Sequence, residues 1–302
     1  MKMKFALALM IGAAFTTGAA SAGTVLTPDP PTRCANCAAL NKPHEPYKVY
    51  GNTYYVGVAG LSSILIVSDK GLILLDGALT QSAPLIAANI AKLGFKLSDV
   101  KIIGNSHTHF DHAGGVAALQ RATGAEVVAS VESAKALEHG GPTPDDPQYK
   151  SHGNFPAVKN VRVVKDGETV RVGNVAITAH YTPGHTPGGT TWTWTSCEGA
   201  RCLNVVYADS LNAVSSPGFR FSGDATHPSI VNEFRHSIST VADLPCDILL
   251  TPHPGFADMD RKLAKRKANP GTNPFIDRDA CRVYAAHATE GLEKRIAEET
   301  AE

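Results

Sequence analysis

Four side chains that can bind a metal lie within six consecutive residues, His-Thr-His-Phe-Asp-His at positions 107–112. Burying three imidazoles and a carboxylate so close together is costly unless they are paired, and a cation is the natural partner. His107 and His109 are two residues apart, so on an extended backbone they point to the same side. Asp111 and His112 are neighbours and must diverge, which suits a second ion beside the first. Because the chain has only 12 His in 302 residues, the segment predicts a metal site rather than a chance cluster of surface histidines.

The first 22 residues have the form of an export signal. Lys2 and Lys4 precede an apolar run over residues 5–15, and three small residues at 20–22 form a cleavage pattern. The apolar run is too short to span a bilayer. We therefore expect a signal peptide at 1–22, a periplasmic or secreted protein, and no membrane anchor after cleavage.

The charge balance excludes one class of partner. Lys plus Arg and Asp plus Glu both number 28, so the chain has no net field that would attract nucleic acid or an anionic membrane. The basic run over residues 261–267 has no interleaved aromatic residues, which favours a solvated helix face over a nucleic-acid site. We expect a monomer that acts on a small molecule.

The six cysteines favour disulfides over redox catalysis in an exported chain. Six cysteines allow 15 pairings, so the sequence alone leaves the connectivity open. The first two are close enough for a local bridge, or would form half of a zinc knuckle that no other pair completes. The candidate pairs are Cys34 with Cys37, Cys197 with Cys202, and Cys246 with Cys281.

The apolar pattern predicts strands and helices, then strands and helices again. Two sheets packed together with helices on their outer faces satisfy this order, an αββα sandwich of class α/β over residues 46–302. An N-terminal extension at 23–45 precedes it, and the alternative is two separate α/β domains split near residue 155. The predicted strands are several within 47–76, then 100–103, 126–129, 161–164, 169–172, 175–182, 190–195, 203–208 and 248–251; the predicted helices are 80–94, 115–123, 131–137, 229–242, 258–267 and a last one from about 277; and 140–156 is predicted as a loop over one face.

A site for two ions needs ligands from elsewhere, and two histidines meet that demand. His185 follows the predicted strand 175–182 in the turn Pro-Gly-His-Thr-Pro-Gly-Gly, and His253 follows strand 248–251 between two prolines. Turns stiffened by proline at strand ends are how a rigid scaffold aims a ligand. The other histidines are interpreted as surface residues, except for a structural one within a strand, His180: the surface set is His44, His139, His152, His227, His236 and His287.

Together these motifs resemble the metallo-β-lactamase superfamily and, within it, the zinc β-lactamases of class B, subclass 3. The resemblance runs over nearly the whole mature chain. Its more specific parts are the Gly-His turn at 184–190, the segment Ala-Asp-Ser-Leu at 208–211 and the loop between Cys197 and Cys202. It implies an αββα sandwich, two zinc ions, and disulfides that include Cys197–Cys202 and Cys246–Cys281. Cys34 and Cys37 then pair together or stay free.

The resemblance also implies the roles of individual residues. His107, His109 and His185 would hold one zinc, and Asp111, His112 and His253 the other. Asp111 would also orient a zinc-bound hydroxide. Ser210 and Asn212 would bind the substrate carboxylate, although many relatives carry a serine where this chain has Asn212.

The activity implied is hydrolysis of the β-lactam amide bond of penicillins, cephalosporins and carbapenems, which confers antibiotic resistance. One alternative is another dinuclear-zinc hydrolase of the same fold, a thiolester hydrolase or a lactonase, in which an additional aspartate bridges both ions. Asp209 lies near that position, but we favour a supporting role behind the ligands. A non-catalytic zinc-storage protein is a third hypothesis, and ligand sets with open positions argue against it. The fold alone does not decide among these.

Overall fold

Twelve strands form two sheets in residues 26–301, the part of the chain that the computed structural model describes. The predicted signal peptide at 1–22 lies outside the described residues. The first sheet contains β1 (Tyr47–Tyr50), β2 (Thr53–Tyr55), β3 (Ile64–Ser68), β4 (Gly71–Leu75), β5 (Val100–Gly104), β6 (Glu126–Ala129) and β7 (Arg162–Val163). The second contains β8 (Thr169–Val172), β9 (Val175–Tyr181), β10 (Thr190–Glu198), β11 (Arg201–Tyr207) and β12 (Ile248–Leu250).

Both sheets are mixed. In the first, neighbours follow chain order; β1 to β4 pair antiparallel and β4 to β7 pair parallel. In the second, the order is β12-β11-β10-β9-β8, and only β11 and β12 run parallel. Parallel strands end at the same edge of a sheet, so the loops after β5 and β12 leave from strand ends where ligands commonly bind.

Helices cover the outer faces of the two sheets. The helices of the described residues are α1 (Cys37–Leu40), α2 (Ala83–Lys92), α3 (Phe110–Ala113), α4 (Val116–Thr123), α5 (Val131–His139), α6 (Val231–Asp243), α7 (Met259–Ala268) and α8 (Ala280–Ala301). Short 3-10 helices lie at Thr80–Ser82, Leu97–Asp99 and Pro254–Ala257. The αββα sandwich predicted from the sequence is confirmed.

Side-chain alternation divides the first sheet between two cores. On β3, Ile64 and Ile66 pack into the layer between the sheets, whereas Leu65 packs under the helices of the first half. The layer between the sheets also contains Trp192 and Trp194 of β10. The indole N–H of Trp192 donates to the carbonyl of Asn105 in the other half of the molecule (3.0 Å). Because the two sheets share one core, the alternative of two separate domains does not hold.

The structure adds elements that the sequence pattern did not predict. The predicted extension contains α1, and its residues Leu26, Cys34 and Leu40 pack against the core of the first half.

Disulfides join Cys34 to Cys37, Cys197 to Cys202 across β10 and β11, and Cys246 to Cys281. None of the helices within residues 26–301 is both long enough and apolar enough to cross a membrane.

Candidate metal centre

The histidine segment begins shortly after β5, and a buried carboxylate anchors its start. Asp76 lies just after β4 with a positive φ of 62°. It accepts hydrogen bonds from the backbone N–H (2.7 Å) and hydroxyl (2.6 Å) of Ser106 and from the hydroxyl of Tyr207 (2.7 Å). Burial raises the pKa of Asp76 to about 6, although these donors oppose the shift. The loop is thus anchored to both sheets one residue before His107.

A first ligand group consists of three imidazoles, those of His107, His109 and His185. Their ring centroids lie 4.9 Å (107–109), 5.0 Å (107–185) and 4.8 Å (109–185) apart. One donor atom of each lies within 4.8 Å of those of the other two. The Nε2 atom of His107 is buried and has no hydrogen-bond partner. A convergent set of imidazole nitrogens with an unpaired buried atom fits a zinc ion.

Each imidazole of the first group is oriented by a partner on its other nitrogen. His107 Nδ1 lies 2.7 Å from Asp209 Oδ1, and His109 Nε2 lies 3.3 Å from Asp146 Oδ1. His185 Nδ1 donates to the carbonyl of residue 212 (2.9 Å). Carboxylates and carbonyls behind ligating histidines fix the ring tautomer and direct the free nitrogen toward the metal. The three imidazoles could therefore hold a metal ion, and each has the supporting partner that a metal ligand needs.

The turn that carries His185 is rigid because neighbouring elements hold its backbone. The hydroxyls of Ser130 and Ser133, at the start of α5, donate to the carbonyl of Gly188 (2.6 and 2.9 Å), and Ser237 of α6 donates to that of residue 183 (2.6 Å). Gly184 has a φ of +142°, and a Cβ there would lie 2.3 Å from the ring of Phe234. Glycine is therefore required for the turn to pack this closely.

A second ligand group lies beside the first and consists of Asp111, His112 and His253. His112 Nε2 and His253 Nε2 are 3.2 Å apart, and each lies 3.5 Å from Asp111 Oδ2. Ligands about 2.0–2.1 Å from a tetrahedral zinc ion lie roughly 3.3 Å from one another. The triangle thus has the size of one face of a zinc tetrahedron, and a cation would relieve the contact of two imidazole nitrogens.

Burial favours the neutral form of three of the candidate histidine ligands, and metal binding requires that form. It is the main cause that lowers the pKa of His107 and His112 well below the usual value, and it lowers the pKa of His185 to about 3. Burial raises the pKa of Asp111, but attraction to the neighbouring imidazoles in their protonated form outweighs this effect and brings the pKa to about 2. At neutral pH these three imidazoles are therefore neutral and the Asp111 carboxylate is charged.

The structure corrects one prediction about the histidine segment. Asp111 and His112 do not diverge, since their Oδ2 and Nε2 atoms are 3.5 Å apart in one ligand group. The reason is α3, which begins at Phe110 and replaces the extended backbone assumed for the whole segment. His109, the residue before this helix, is still extended, with φ −75° and ψ 151°, and joins His107 in the first group.

The interpretation of His152 as a surface residue was wrong. Its ring packs against that of His109, with centroids 4.0 Å apart and the ring planes tilted by 37°, and with Asp111 these two residues form a third group that could hold a metal ion. Burial is the main cause that lowers the pKa of His152 to about 4. His152 belongs to the predicted loop 140–156, which also supplies Asp146 and Gln148. No pattern within this loop distinguished His152 from exposed histidines, because only the folded chain brings it to His109.

The two residues expected to bind a substrate carboxylate differ in exposure. Ser210 is buried, and its hydroxyl has no hydrogen-bond partner. Asn212 is partly exposed, and its backbone carbonyl orients His185. His180, predicted to be structural, lies in β9 and is hydrogen-bonded to Thr193 Oγ1 (2.9 Å).

Comparison with known proteins places this geometry in a family. A family model described as the metallo-beta-lactamase superfamily matches residues 56–270. This chain belongs to the metallo-beta-lactamase superfamily. Members of the superfamily that have been solved include MEM-A1, a subclass B3 metallo-beta-lactamase isolated from a soil metagenome library. It is 52% identical with a TM-score of 0.84, over 87% of this chain and 99% of that one.

Two further metallo-beta-lactamase structures are similar over nearly their whole length. Rm3 metallo-beta-lactamase is 49% identical with a TM-score of 0.86, over 89% of this chain and 100% of that one. MIM-1 from Novosphingobium pentaromativorans is 42% identical with a TM-score of 0.81, over 87% of this chain and 93% of that one. The similarity to these structures supports the conclusion that this chain is a hydrolase of the metallo-beta-lactamase superfamily.

Curated relatives in the superfamily match only in part. A hydroxyacylglutathione hydrolase of Maricaulis maris is 33% identical over 169 residues, 55% of this chain and 51% of the relative. One from Rhodopseudomonas palustris is 32% identical over 107 residues, 35% of this chain and 32% of the relative. The chain thus spans about half or less of the length of these curated relatives. They support the thiolester hydrolase alternative less well than the solved structures support the β-lactamase interpretation.

Proposed function

We propose that this protein is a periplasmic or secreted zinc β-lactamase of subclass B3, which hydrolyses the amide bond of penicillins, cephalosporins and carbapenems and so confers antibiotic resistance. The observation that carries the proposal is the pair of adjacent ligand groups in a chain that matches B3 structures over nearly their entire length. Export by residues 1–22 agrees with three disulfides in the described residues, since such bonds persist in oxidising compartments.

We assign one zinc ion to His107, His109 and His185 and another to Asp111, His112 and His253. Bound there, zinc would lower the pKa of water to supply a nucleophile near neutral pH and would polarise the lactam carbonyl. The second set includes a carboxylate and the first does not, so the first leaves more positive charge available to the carbonyl oxygen.

The residues of the site contribute binding and orientation. Asp111 lies at the junction of the ligand groups, and its carboxylate can accept a hydrogen bond from the attacking water and turn it toward the lactam carbonyl. The oxygen of that water would bond to the carbonyl carbon as the ring amide C–N bond breaks, and the nitrogen would take up the proton that the water loses. Ser210 has an unpaired hydroxyl and Asn212 a partly exposed amide, and both side chains can donate hydrogen bonds to the substrate carboxylate.

Asp209 favours the β-lactamase over the thiolester hydrolase and lactonase alternatives. In those enzymes an aspartate from this region bridges both ions. Here Asp209 Oδ1 lies 2.7 Å from His107 Nδ1, the nitrogen on the far side of the ring from the unpaired Nε2. Asp209 is fully buried behind the first group, where it supports one ligand and does not join the second group.

A substrate panel with and without a chelator tests the proposal. Purified mature protein is assayed on a penicillin, a chromogenic cephalosporin and a carbapenem, with a glutathione thiolester and a lactone as matched controls. We expect lactam hydrolysis that is lost with chelator and restored by zinc. Turnover of the thiolester or lactone alone would replace the proposal with the alternative, and fully metallated protein inactive on all five would support a non-catalytic zinc protein.

A further inference from the structure

A cavity of about 640 Å³ lies beside the metal centre, between the segment after β11, the loop after β12, the start of α7 and the first half of α8. Small-molecule sites typically have volumes of roughly 300–1,000 Å³. The ring of Phe256, which lines the cavity, lies 5.9 Å from that of His253 between centroids. Among the described residues of its wall, only Asn212 belongs to the candidate site for the substrate carboxylate, and none is a candidate metal ligand. The cavity is therefore a second place that can hold a small molecule.

Exposed apolar side chains are concentrated around this cavity. Six large apolar side chains are exposed in the described residues, and three of them line it, namely Val214, Phe256 and Val283. Apolar surface gathered at one concave place indicates a ligand or interaction site. The cavity thus offers contacts for an apolar body.

One charged side chain in the cavity wall has no partner. Lys262 of α7 is only 8% exposed, and among the described residues its ammonium group makes neither a hydrogen bond nor an ion pair. Burial is the main cause that lowers the pKa of Lys262, and attraction to Asp277 and Asp258 opposes this shift without cancelling it. A buried ammonium group without a paired anion is costly. A ligand with a negative charge would remove that cost.

The other charged side chains of the wall already have partners. Arg261 is paired with Asp258, and Asp277 Oδ1 accepts a hydrogen bond from the backbone N–H of Asp279 (3.2 Å). Because both carboxylates remain near Lys262, a ligand with one negative charge is repelled less than a ligand with two. A cation would be repelled by the buried ammonium group. The cavity therefore favours a monoanion.

We propose that this cavity binds a small amphipathic carboxylate, with the carboxylate on the Lys262 ammonium group and the apolar body against Phe256 and Val283. The inference goes beyond the proposed function, because it holds whichever bond the metal centre hydrolyses. It assigns the chain a second binding site that uses no metal ion.

Binding of octanoate, measured by isothermal titration calorimetry, tests the site directly. Zinc-loaded protein is titrated with octanoate, octanol and octylammonium, which share the apolar chain and differ in the head group. Lys262→Met keeps an apolar stem and removes the charge, and Lys265→Met, exposed on the same helix, is its matched control. Val283→Glu adds a negative charge to the exposed rim and serves if Lys262→Met does not fold. Its control is Ala286→Glu, exposed on α8 outside the cavity wall.

We expect one equivalent of octanoate to bind wild type, and octanol and octylammonium to bind at least about tenfold more weakly. Lys262→Met should weaken octanoate binding by about tenfold or more, because it removes a hydrogen bond to a charged group. Val283→Glu should also weaken it, whereas Lys265→Met and Ala286→Glu should bind like wild type. Octylammonium that binds as tightly as octanoate would overturn the inference. So would octanoate binding that Lys262→Met and Val283→Glu leave unchanged.

Repeating the titration after zinc removal separates the cavity from the metal centre. Octanoate that binds only in the presence of zinc would lie on the metal ions, and the inference would be wrong. A wild-type protein that hydrolyses β-lactams but binds no octanoate would overturn this site and leave the β-lactamase intact. A protein that binds octanoate through Lys262 but hydrolyses none of the lactams would keep the site and remove the proposed activity.

Discussion

The two ligand groups lie side by side, but the protein supports them unequally. In the first group, His107, His109 and His185 are only 0%, 2% and 6% exposed, and each has a partner on its second nitrogen. In the second group, the side chain of His253 is 30% exposed and its Nδ1 lies 3.3 Å from a backbone carbonyl. His112 Nδ1 is buried without any partner. The fold thus pre-organises the first group more completely than the second.

The difference in support follows from the elements that carry each ligand group. The first group joins the loop after β5 to the turn between β9 and β10, which three hydroxyls hold in place. The second joins α3 to the short loop after β12. Both groups therefore depend on how the two sheets pack against each other. Only the first group has carboxylates that contact its imidazoles from behind. We expect the first ion to be bound more tightly and released more slowly.

Removing one ligand from each group should give the largest effects. His185→Ala should lose the first ion and lower kcat/KM by more than about a hundredfold, beyond the 10–100-fold typical of supporting residues. His253→Ala should also be impaired but should retain one equivalent of zinc, since the first group is intact. Metal content of the purified variants distinguishes them. Loss of both ions in His253→Ala would show that the groups are not independent.

Changing Asp209 tests the support of the first group. Asp209→Asn should weaken zinc binding by roughly 10–100-fold while still binding two ions when zinc is in excess. The matched control is Asp224→Asn, because Asp224 contacts His227 Nδ1 at a similar distance, 2.9 Å, on the surface. Competition with a chromophoric chelator measures the affinities. If excess zinc fails to restore the second ion in Asp209→Asn, Asp209 acts as a bridging ligand and the thiolester hydrolase alternative gains support.

Chelation kinetics should separate the two ions in the wild-type protein. The partly exposed second group should lose its ion first, and the first group about tenfold more slowly, the lower end of the effect of supporting contacts. Stopped-flow mixing with a chromophoric chelator should therefore give two phases of equal amplitude. His253→Ala should lack the fast phase. A single phase in wild type would contradict unequal support.

Asn212 should give the smallest effect. Its backbone, not its side chain, orients His185, so Asn212→Ala should leave zinc affinity unchanged. Loss of one amide hydrogen bond to the substrate carboxylate should raise KM by about 2–10-fold. Steady-state kinetics on a cephalosporin, beside the chelator competition, checks both statements. Weaker zinc binding in this variant would mean that the side chain also supports the first group.

Much of this architecture could be predicted from the sequence because its signals are local. Alternating apolar residues located the strands; Glu126–Ala129 and Thr169–Val172, for example, have the predicted bounds. His185 and His253 were recognisable because proline-containing turns follow buried strands. Because both residues lie on loops at strand ends, they could be expected to meet the histidine segment at one edge of the sheets. The resemblance then assigned His185 to the first ligand group and His253 to the second.

The parts that could not be predicted depend on contacts between distant residues. α3 is only four residues long, which is too short for a helical spacing of apolar residues to be recognised in the sequence. His152 lies in a loop without periodicity, and its ring contact with His109 exists only in the folded chain. The role of Asp76 under Ser106 likewise arises from a contact across 30 residues. Such contacts have no signature within a local window of sequence.

Zinc titration of stripped protein tests most directly the claim that two supported ligand groups make a β-lactamase. Wild-type protein freed of metal is given zinc in fractions of an equivalent while hydrolysis of a chromogenic cephalosporin is followed. The account predicts no hydrolysis without zinc and activity that rises until two equivalents are bound. Hydrolysis that persists in the stripped protein, or that is absent at every zinc level, would contradict it.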